Sequence, residues 1–335
     1  MADREADIRT RRRRFALAAI GLGLVGALLL AEVIARLMGE KPFHAAKLVW
    51  NQQPEQSIFV ALPDGGYRHS SGRVRIDIVP EFGWTMTHDD DGLRITGTNA
   101  TPGRDQLWFM GCSLTQGWSC SDDETYPWRV QQSLTNYSVV NGGTSGYGTI
   151  HSRLMFQDLL VKRGKPKIVV YAYGRFHDYR NTFVRTWQKG FIPNNRLPKL
   201  TLPVASFVEG QLEYSSVAAG YREWPLQRVS ALVHALERRY NFRQAQASRS
   251  HEVSRELIAQ WAAFCLKEEI RFVVAGISSD AGPMLEWCEG LKIETVDIAV
   301  PLSGKEYTNL PYDNHPNAKA HAVYSERLVK FLIEK

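Results

Sequence analysis

The chain has 335 residues, of which 44% are hydrophobic, and it carries a formal net charge of +6 at pH 7. That length allows a membrane anchor with one large domain or two small ones, and the hydrophobic fraction is ordinary for a protein with a packed core. Residues 1–14 contain six arginines against three acidic residues, so the remaining residues carry only +3. This excess is too small to indicate nucleic-acid binding, and no nucleic-acid partner is expected.

The first element along the chain is a basic segment followed by an apolar run. Residues 11–14 are four arginines, and residues 15–31 are uncharged and mostly apolar. At about 1.5 Å per residue, a helix that continues to residue 38 would cross the ~30 Å hydrocarbon core of a bilayer. Because arginines keep their side of a span in the cytoplasm, we predict a cytoplasmic segment at 1–14 and an uncleaved transmembrane signal-anchor helix at 15–38. A cleaved signal peptide and a buried helix are the alternatives.

Residues 39–103 are predicted to form a polar linker and a small β-rich prelude. Short strand-like segments at 74–79 and 93–96 lie between turn signals such as Asp91-Gly92. The prelude would extend from Tyr67 to Thr98.

From residue 104 to residue 335, strand-like and helix-like segments alternate. The predicted strands are 107–110, 138–141, 168–173, 271–275 and 295–300. The predicted helices between and after them are 126–134, 150–161, 253–268, 283–291 and 318–333. Several strands are almost entirely apolar, as strands buried on both faces are. This alternation predicts an α/β fold, a three-layer α/β/α sandwich with a central parallel sheet of about five strands, and functional residues at the carboxyl ends of the strands.

An insertion at about residues 182–246 separates the third and fourth predicted strands. It contains a hairpin-like segment at 208–212 and a helical pattern at 226–240. Connections this long are usually functional, which predicts a lid or a binding surface. The alternative is that the insertion has only a structural role. Its aromatic residues would form a sugar-stacking platform or pack in the core: Trp187, Tyr214, Tyr221 and Trp224.

Four segments that follow predicted strands or precede the last helix carry candidate chemistry. Ser113 lies between glycines in the segment GCSLTQG, and Gly146 lies in the glycine-rich segment 140–148. His177 follows the third strand, and Asp313 and His315 precede the final helix. Ester cleavage by a serine needs a base, a group that orients the base, and donors for the oxyanion. Each segment alone is typical of an ordinary turn, but together they could supply all of these parts.

The order of these segments resembles the four sequence blocks of the SGNH hydrolases, the GDSL-like esterases and lipases. The resemblance covers about residues 104–335, and the prelude also resembles what precedes this domain in membrane-anchored members. It implies that Ser113 is the nucleophile, that His315 is the base and that Asp313 orients it. It also implies an oxyanion hole made by the backbone N–H groups of Ser113 and Gly146 and by His177.

The chain departs from the family pattern at three places. Cys112 replaces the usual aspartate before the serine, His177 replaces the usual oxyanion asparagine, and the terminal pair is spaced Asp-x-His, a form that membrane-linked members acting on polysaccharides often share. A neutral imidazole has one N–H and can donate it, so the oxyanion role is still assigned to His177. The alternatives are that His177 only hydrogen-bonds a loop and that Cys112 itself attacks.

Neither a cofactor nor a metal is expected. The four cysteines have no metal-ligand spacing. A disulfide between Cys112 and Cys120 is one reading for an exported domain, and buried free thiols are the preferred one.

Together these observations predict a membrane-anchored serine esterase whose catalytic domain is periplasmic or extracellular. Its substrate would be an acylated carbohydrate or a lipid ester, above all the O-acetyl esters of an extracytoplasmic glycan or envelope polymer. The membrane and polysaccharide-synthesis machinery are the other candidate partners. Two alternatives remain, namely an O-acyltransferase that passes the acyl group to a polysaccharide hydroxyl and a degenerate, non-catalytic glycan-binding domain.

Overall fold

The structure is a computed structural model that describes residues 2–97 and 103–334. Met1, Lys335 and residues 98–102, with the predicted end of the prelude at Thr98, lie outside the described residues. The helices are α1 (Ala2–Leu37), α2 (Ser113–Gln116), α3 (Tyr126–Ser133), α4 (Thr149–Arg163), α5 (Phe176–Asn181), α6 (Arg185–Phe191), α7 (Ala231–Ala247), α8 (Ser250–Lys267), α9 (Gly282–Gly290) and α10 (Ala318–Glu334). The strands are β1 (Asn51–Gln53), β2 (Phe59–Ala61), β3 (Tyr67–His69), β4 (Gly72–Val79), β5 (Phe82–His88), β6 (Asp105–Gly111), β7 (Tyr137–Gly143), β8 (Ile168–Tyr173), β9 (Thr201–Val208), β10 (Gln211–Ala218), β11 (Arg271–Gly276) and β12 (Glu294–Asp297).

A five-stranded sheet forms the centre of the fold, in the order β12-β11-β8-β6-β7. All of its strand pairs are parallel. Numbered along the chain, this is the order 2-1-3-4-5 of flavodoxin-like sheets, whose strand order reverses between the first and third strands. The predicted α/β fold with a central parallel sheet is therefore confirmed, and β6 and β8 flank the switch point where such sheets bind ligands.

The central strands are apolar because helices cover both faces of the sheet. β8 is buried along its whole length. Ile168, Val170 and Ala172 face the core formed with α3 and α10, whereas Val169 and Tyr171 face the core formed with α4, α8 and α9. Side chains alternate between the faces of a strand, so both sets of positions must be apolar.

The five strands predicted between residues 104 and 335 all form, but the last is shorter than expected. Residues 295–300 were predicted as a strand, whereas β12 ends at Asp297. The Asp297 carboxylate accepts a hydrogen bond from the backbone N–H of Ala299, and this local turn replaces the sheet ladder.

The strands of the prelude form an antiparallel sheet in the order β1-β4-β5 and the antiparallel pair β2-β3. The strand predicted at 93–96 does not form. Arg94 instead makes isolated bridges to His88 and Asn141. Its buried side chain takes part in the site described below.

The insertion contains α6, the antiparallel hairpin β9-β10 and all of α7 except its last residue. The hairpin turns at Glu209 and Gly210, which both have positive φ, as a two-residue turn of type I′ requires. The helix predicted at 226–240 begins later, at Ala231. Ser230 sets that start, because its hydroxyl accepts a hydrogen bond from the backbone N–H of Val233.

The chain divides into two compact units, and the first consists of Met1–Ala46 and Tyr221–Gln244. In this unit Asp7–Leu37 is long and apolar enough to cross a membrane, because its most apolar window of 18 residues has a mean hydropathy of 2.4. A signal sequence shares this property. The Glu32 carboxylate, near the end of α1, accepts hydrogen bonds from the Ser230 hydroxyl and from the backbone N–H groups of Ala231 and Leu232, at 2.7–2.9 Å. It therefore caps the first turn of α7.

The second unit consists of Lys47–Gly220 and Ala245–Lys335. It contains the prelude strands, the central sheet and the hairpin β9-β10. Every residue predicted for the catalytic triad or the oxyanion hole lies in this unit.

Candidate active site

Ser113 lies in a tight turn between β6 and the short helix α2. Cys112 has an extended conformation, and Ser113 is the first residue of the helix. Gly117 ends the helix in the left-handed region, with a φ of 84°. A Cβ at Gly111 would overlap the Thr115 hydroxyl, so this position also requires glycine. The two glycines of the GCSLTQG segment thus fix the turn that presents Ser113 at the carboxyl edge of the sheet.

The terminal segment brings Asp313 and His315 to Ser113. The Nε2 atom of His315 is 3.1 Å from the Ser113 hydroxyl oxygen, and its Nδ1 atom is 2.6 Å from the Asp313 carboxylate. The same carboxylate oxygen also accepts the backbone N–H of His315, at 2.7 Å. A spacing of two residues is therefore enough for Asp313 to orient His315, because the carboxylate folds back onto the backbone nitrogen and the ring Nδ1 of that residue.

Asp313 is held in its ionised form. Burial by itself would raise the pKa of this carboxyl, but the hydrogen bonds and charge of His315 outweigh it and lower the pKa below its usual value. An ionised Asp313 accepts the Nδ1–H of His315 and leaves Nε2 free to accept the serine proton.

Gly146 follows β7 in a conformation that only glycine adopts easily, with a φ of 83°. A Cβ at this position would overlap the hydroxyl of Tyr67, which donates to the Ser145 carbonyl at 2.7 Å. The backbone N–H groups of Ser113 and Gly146 make no hydrogen bond to any other described residue. Both residues line the same cavity, so both groups are available to a ligand.

His177 lies behind the cavity and does not line it. The side chain is fully buried, and its Nδ1 atom is 2.9 Å from the Tyr171 hydroxyl. Burial and then the positive charge of Arg180 hold the pKa of His177 well below its usual value, so the ring is neutral. The structure brings Ser113, Gly146, Asp313 and His315 together, but it does not bring the His177 side chain to the cavity.

Asp178, the next residue, joins α5 to α8. Its carboxylate accepts hydrogen bonds from the Tyr173 hydroxyl at 2.8 Å and the Ser254 hydroxyl at 2.5 Å, and it lies 2.9 Å from His251 Nδ1. This buried network fixes the helix that follows the third strand of the sheet.

The four cysteines are buried and have free thiols. Cys112 and Cys120 are not bonded to each other. Burial raises the pKa of the Cys120 thiol to about 12, and this thiol donates to the carbonyl of Pro316 at 3.4 Å. It thereby links the serine loop to the segment that carries His315.

Arg94 braces the serine loop and was missed from the sequence. Its guanidinium donates to the carbonyls of Gln116, Gly117 and Cys120 at 2.6–3.0 Å. It also forms an ion pair with Asp122 at 3.0 Å, and the Arg94 side chain is fully buried. The available signal was an arginine inside the apolar pattern Leu-Arg-Ile-Thr, where it would be buried if the segment were a strand.

A cavity of about 660 Å³ opens over Ser113 and His315. Its walls come from the serine loop, the prelude, α5 and the insertion. Most of its side chains are apolar or aromatic, and they include Trp50, Trp118, Trp187, Phe176 and Phe191. Of the four aromatic residues proposed as a sugar platform, Trp187 is the one that lines this cavity within the described residues. Residues 2–97 and 103–334 contain no cluster of three or more His, Cys, Asp or Glu side chains able to hold a metal ion.

No protein-family profile and no curated protein matches the chain. It is similar to solved structures of a GDSL-like lipase from Bacteroides thetaiotaomicron, with 14% identity over 71% of this chain and 92% of that one and a TM-score of 0.39. It is also similar to a member of the lipolytic G-D-S-L family from Veillonella parvula, with 8% identity over 69% and 99% and a TM-score of 0.41. An acetylxylan esterase from Geobacillus stearothermophilus has 12% identity over 68% and 93% and a TM-score of 0.39. At these values the likenesses carry no argument about chemistry, which rests on the geometry of the site.

Proposed function

We propose that the protein is a serine ester hydrolase in which Ser113 is the nucleophile, His315 the base and Asp313 the residue that orients the base. The observation that carries this proposal is the continuous chain of contacts from Ser113 Oγ through His315 to Asp313, at 3.1 Å and 2.6 Å. These are hydrogen-bonding distances, and the order of groups is that of a serine–histidine–carboxylate triad.

In the first step, Ser113 Oγ bonds to the ester carbonyl carbon while its proton passes to His315 Nε2. The carbonyl oxygen takes the electron pair, and the backbone N–H groups of Ser113 and Gly146 donate to it. The oxyanion then collapses, the bond to the alcohol breaks, and the alcohol leaves with the proton from His315. Water repeats the sequence on the acyl-serine and releases the acid and the free hydroxyl of Ser113.

His177 was assigned a third oxyanion hydrogen bond. Its burial and its contact with the Tyr171 hydroxyl favour a structural role, close to the alternative in which His177 only hydrogen-bonds a loop, although its partner lies on β8. The ring packs edge-on against Phe176, with the ring centroids 4.7 Å apart, and Phe176 lines the cavity. Two backbone donors remain for the oxyanion, and two suffice in many acyl-transfer sites.

The substrate proposed for this site is an acylated glycan. A cavity of about 660 Å³ is far larger than an acetyl group, and its three tryptophans offer flat apolar faces on which a sugar ring can stack. Transfer of the acyl group to a second sugar hydroxyl is the other candidate reaction, because the same volume admits an acceptor beside the acyl-serine. Acetyl release with and without a glycan acceptor separates the two reactions.

We also propose that α1 is an uncleaved signal-anchor with its amino end in the cytoplasm, and that residues 104–335 form an exported catalytic domain with residues 39–103 as its linker and prelude. The capping of α7 by Glu32 supports retention of this part of α1, because cleavage at any site beyond Glu32 would leave the Ser230, Ala231 and Leu232 donors without their acceptor. The test is alkaline extraction of membranes, after which full-length protein should stay in the pellet. Its release would contradict the anchor.

The catalytic proposal is tested with full-length protein in a non-ionic detergent and 4-nitrophenyl acetate as substrate. Replacing Ser113 or His315 with alanine should lower the turnover about a thousandfold or more, and Ser113→Ala should also abolish labelling by a fluorophosphonate. Ser133, which is exposed at the end of α3, provides the matched control Ser133→Ala, which should keep full activity. Full activity in either variant of the proposed triad would refute the assignment.

A further inference from the structure

Arg180 is a buried cation in the wall of the cavity. Its residue is 8% exposed, and its guanidinium lies between the rings of Phe176 and Trp187, 4.6 Å and 4.4 Å from their centroids. One terminal nitrogen donates to the Tyr147 carbonyl at 2.7 Å. The two rings and the carbonyl hold the guanidinium in one orientation, which lowers the entropy lost when it binds a ligand.

Arg180 has no carboxylate partner among the described residues. Arg180 forms no ion pair with any residue of 2–97 or 103–334, and its Nε atom is buried without a hydrogen-bond partner among these residues. The nearest acid in sequence, Asp178, is occupied by His251, Tyr173 and Ser254. A buried arginine is almost always paired, because an unpaired charge in a desolvated site is costly.

The charges of the cavity wall have one sign. Arg180 and Arg196 line the cavity, and none of the described lining residues is an aspartate or a glutamate. Arg196 is held over Trp50, with its guanidinium carbon 3.7 Å from the ring centroid. Both cations are thus held against aromatic rings, and the charge of the lining favours an anion in the cavity that Ser113 also lines.

We propose that the cavity binds an acidic glycan, in which a sugar carboxylate pairs with Arg180 while the sugar ring lies against the aromatic wall near Trp187. A guanidinium recognises a carboxylate with two parallel hydrogen bonds, which suits the planar group of a uronic acid. The ester cleaved by Ser113 would then be on the same sugar or on its neighbour. This inference rests on the proposed function for the reaction, but the binding of the acidic glycan does not require it.

The binding test uses full-length protein in a non-ionic detergent, with Ser113→Ala in the background, and measures affinity by calorimetry. Oligogalacturonate is the acidic probe, and its methyl ester is the neutral probe of the same sugar configuration. The acidic probe should bind at least about tenfold more tightly, and Arg180→Gln should remove about 10- to 100-fold of that affinity while leaving the neutral probe unchanged. The exposed Arg73 supplies the control variant Arg73→Gln, which should bind like the parent protein.

A second variant guards against misfolding of Arg180→Gln. Arg196 is exposed, so Arg196→Gln should fold normally and should lower the affinity for the acidic probe several-fold. Equal binding of the two probes, or unchanged affinity in both folded variants, would overturn the proposal. A third outcome would also overturn the proposal. If dihexanoyl phosphatidylglycerol binds through Arg180 and oligogalacturonate does not bind, the ligand of Arg180 is a lipid phosphate.

The kinetic test separates this inference from the proposed function. With acetylated oligogalacturonate and its acetylated methyl ester, Arg180→Gln should lower kcat/KM selectively for the acidic substrate. If the protein binds the acidic probe through Arg180 but cleaves neither ester, the proposed function fails and the binding site stands. If both esters are cleaved at equal rates and Arg180→Gln has no effect, the proposed function stands and the acidic substrate is wrong.

Discussion

At the scale of single residues, one oxygen atom of the Asp313 carboxylate accepts two hydrogen bonds from His315. It accepts both the ring Nδ1–H and the backbone N–H of His315, so the same contact orients the imidazole and closes the local turn. A longer spacing would let other residues shape this turn. With one residue between the pair, the orientation of His315 depends on Asp313 directly.

This arrangement predicts a pH-dependent contribution of Asp313 to stability. Because the folded pKa of Asp313 lies below its unfolded value, ionisation stabilises the folded state above about pH 4, and this stabilisation is lost as the pH falls through the folded pKa. The free energy of unfolding of Asp313→Asn should therefore fall short of that of the wild type at about pH 7, and the difference should shrink below about pH 4. Urea denaturation of both proteins at several pH values measures this difference in the free energy of unfolding. A difference that stays constant down to about pH 3 would contradict the prediction.

Arg94 is predicted to support the serine loop. Replacing it with glutamine removes the ion-pair partner of Asp122 and removes the guanidinium donors of the buried carbonyls of residues 116, 117 and 120. The free energy of unfolding should fall by about 3 kcal/mol or more, and ester turnover should fall with it because Ser113 is in the same loop. Arg75 is the control, since it is half-exposed and pairs with Asp77 on the surface, so Arg75→Gln should change both quantities little. A stable, fully active Arg94→Gln protein would refute this role.

The sequence was sufficient for some of these residues and not for others. The turns that bring Ser113, Asp313 and His315 together could be predicted because each is local and has its own sequence pattern, whereas the catalytic roles of these residues are a proposal. Arg94 and Arg180 could not, since their roles depend on which carbonyls and rings the folded chain brings to them. His177 illustrates the same limit, because sequence position alone does not determine whether a side chain points into the cavity or into the core.

At the scale of elements, the central sheet was predictable because its strands are continuous apolar runs. The predicted segment 168–173 coincides with β8, and that at 271–275 falls one residue short of the end of β11. Elements whose ends depend on a single polar contact were predicted less well. β12 ends at a turn made by Asp297, and α7 begins where Ser230 caps it.

The contact between α8 and the sheet is predicted to be a major source of stability. Trp261 on α8 is fully buried and lies against Phe156, Tyr171 and Phe272, with ring centroids 5.1–5.3 Å apart. Trp261→Ala should therefore lower the free energy of unfolding by about 3–5 kcal/mol, measured by urea denaturation. Leu266 is on the same helix but 81% exposed, so Leu266→Ala is the control and should cost about 0.5 kcal/mol or less. Similar losses in the two variants would show that the packing of this face does not control stability.

At the scale of the whole molecule, the chain crosses between its two units more than once. The first unit combines the N-terminal residues to Ala46 with Tyr221–Gln244, which is part of the insertion predicted at 182–246. The remainder of the insertion, including the hairpin β9-β10 and the residues that line the cavity, belongs to the second unit. The sequence pattern treated the insertion as one segment, because a boundary set by contacts with residues nearly two hundred positions away leaves no local signal.

Glu32 is predicted to hold the start of α7 in place. Glu32→Ala removes the acceptor for the Ser230, Ala231 and Leu232 donors, so residues 221–230 should open more often. Trypsin should then cut faster after Arg222 or Arg228 in this variant than in the wild type, as followed by mass spectrometry. Asp7→Ala, which breaks an exposed pair with Arg11 on the same helix, is the control and should leave these cleavage rates unchanged. Equal rates in Glu32→Ala and the wild type would show that the cap does not restrain this segment.

The cap at Glu32 also sets an order of events during synthesis. Glu32 and Ser230 are 198 positions apart, and a ribosome adds roughly 5–20 residues per second. Glu32 is therefore synthesised roughly 10–40 s before Ser230, Ala231 and Leu232, which will donate hydrogen bonds to its carboxylate. During that interval its carboxylate has no partner in α7, and α7 gains its cap only after most of the central sheet has been translated. The first unit of the chain to begin synthesis is thus completed only when Gln244 has been added, after β6, β7 and β8 of the central sheet.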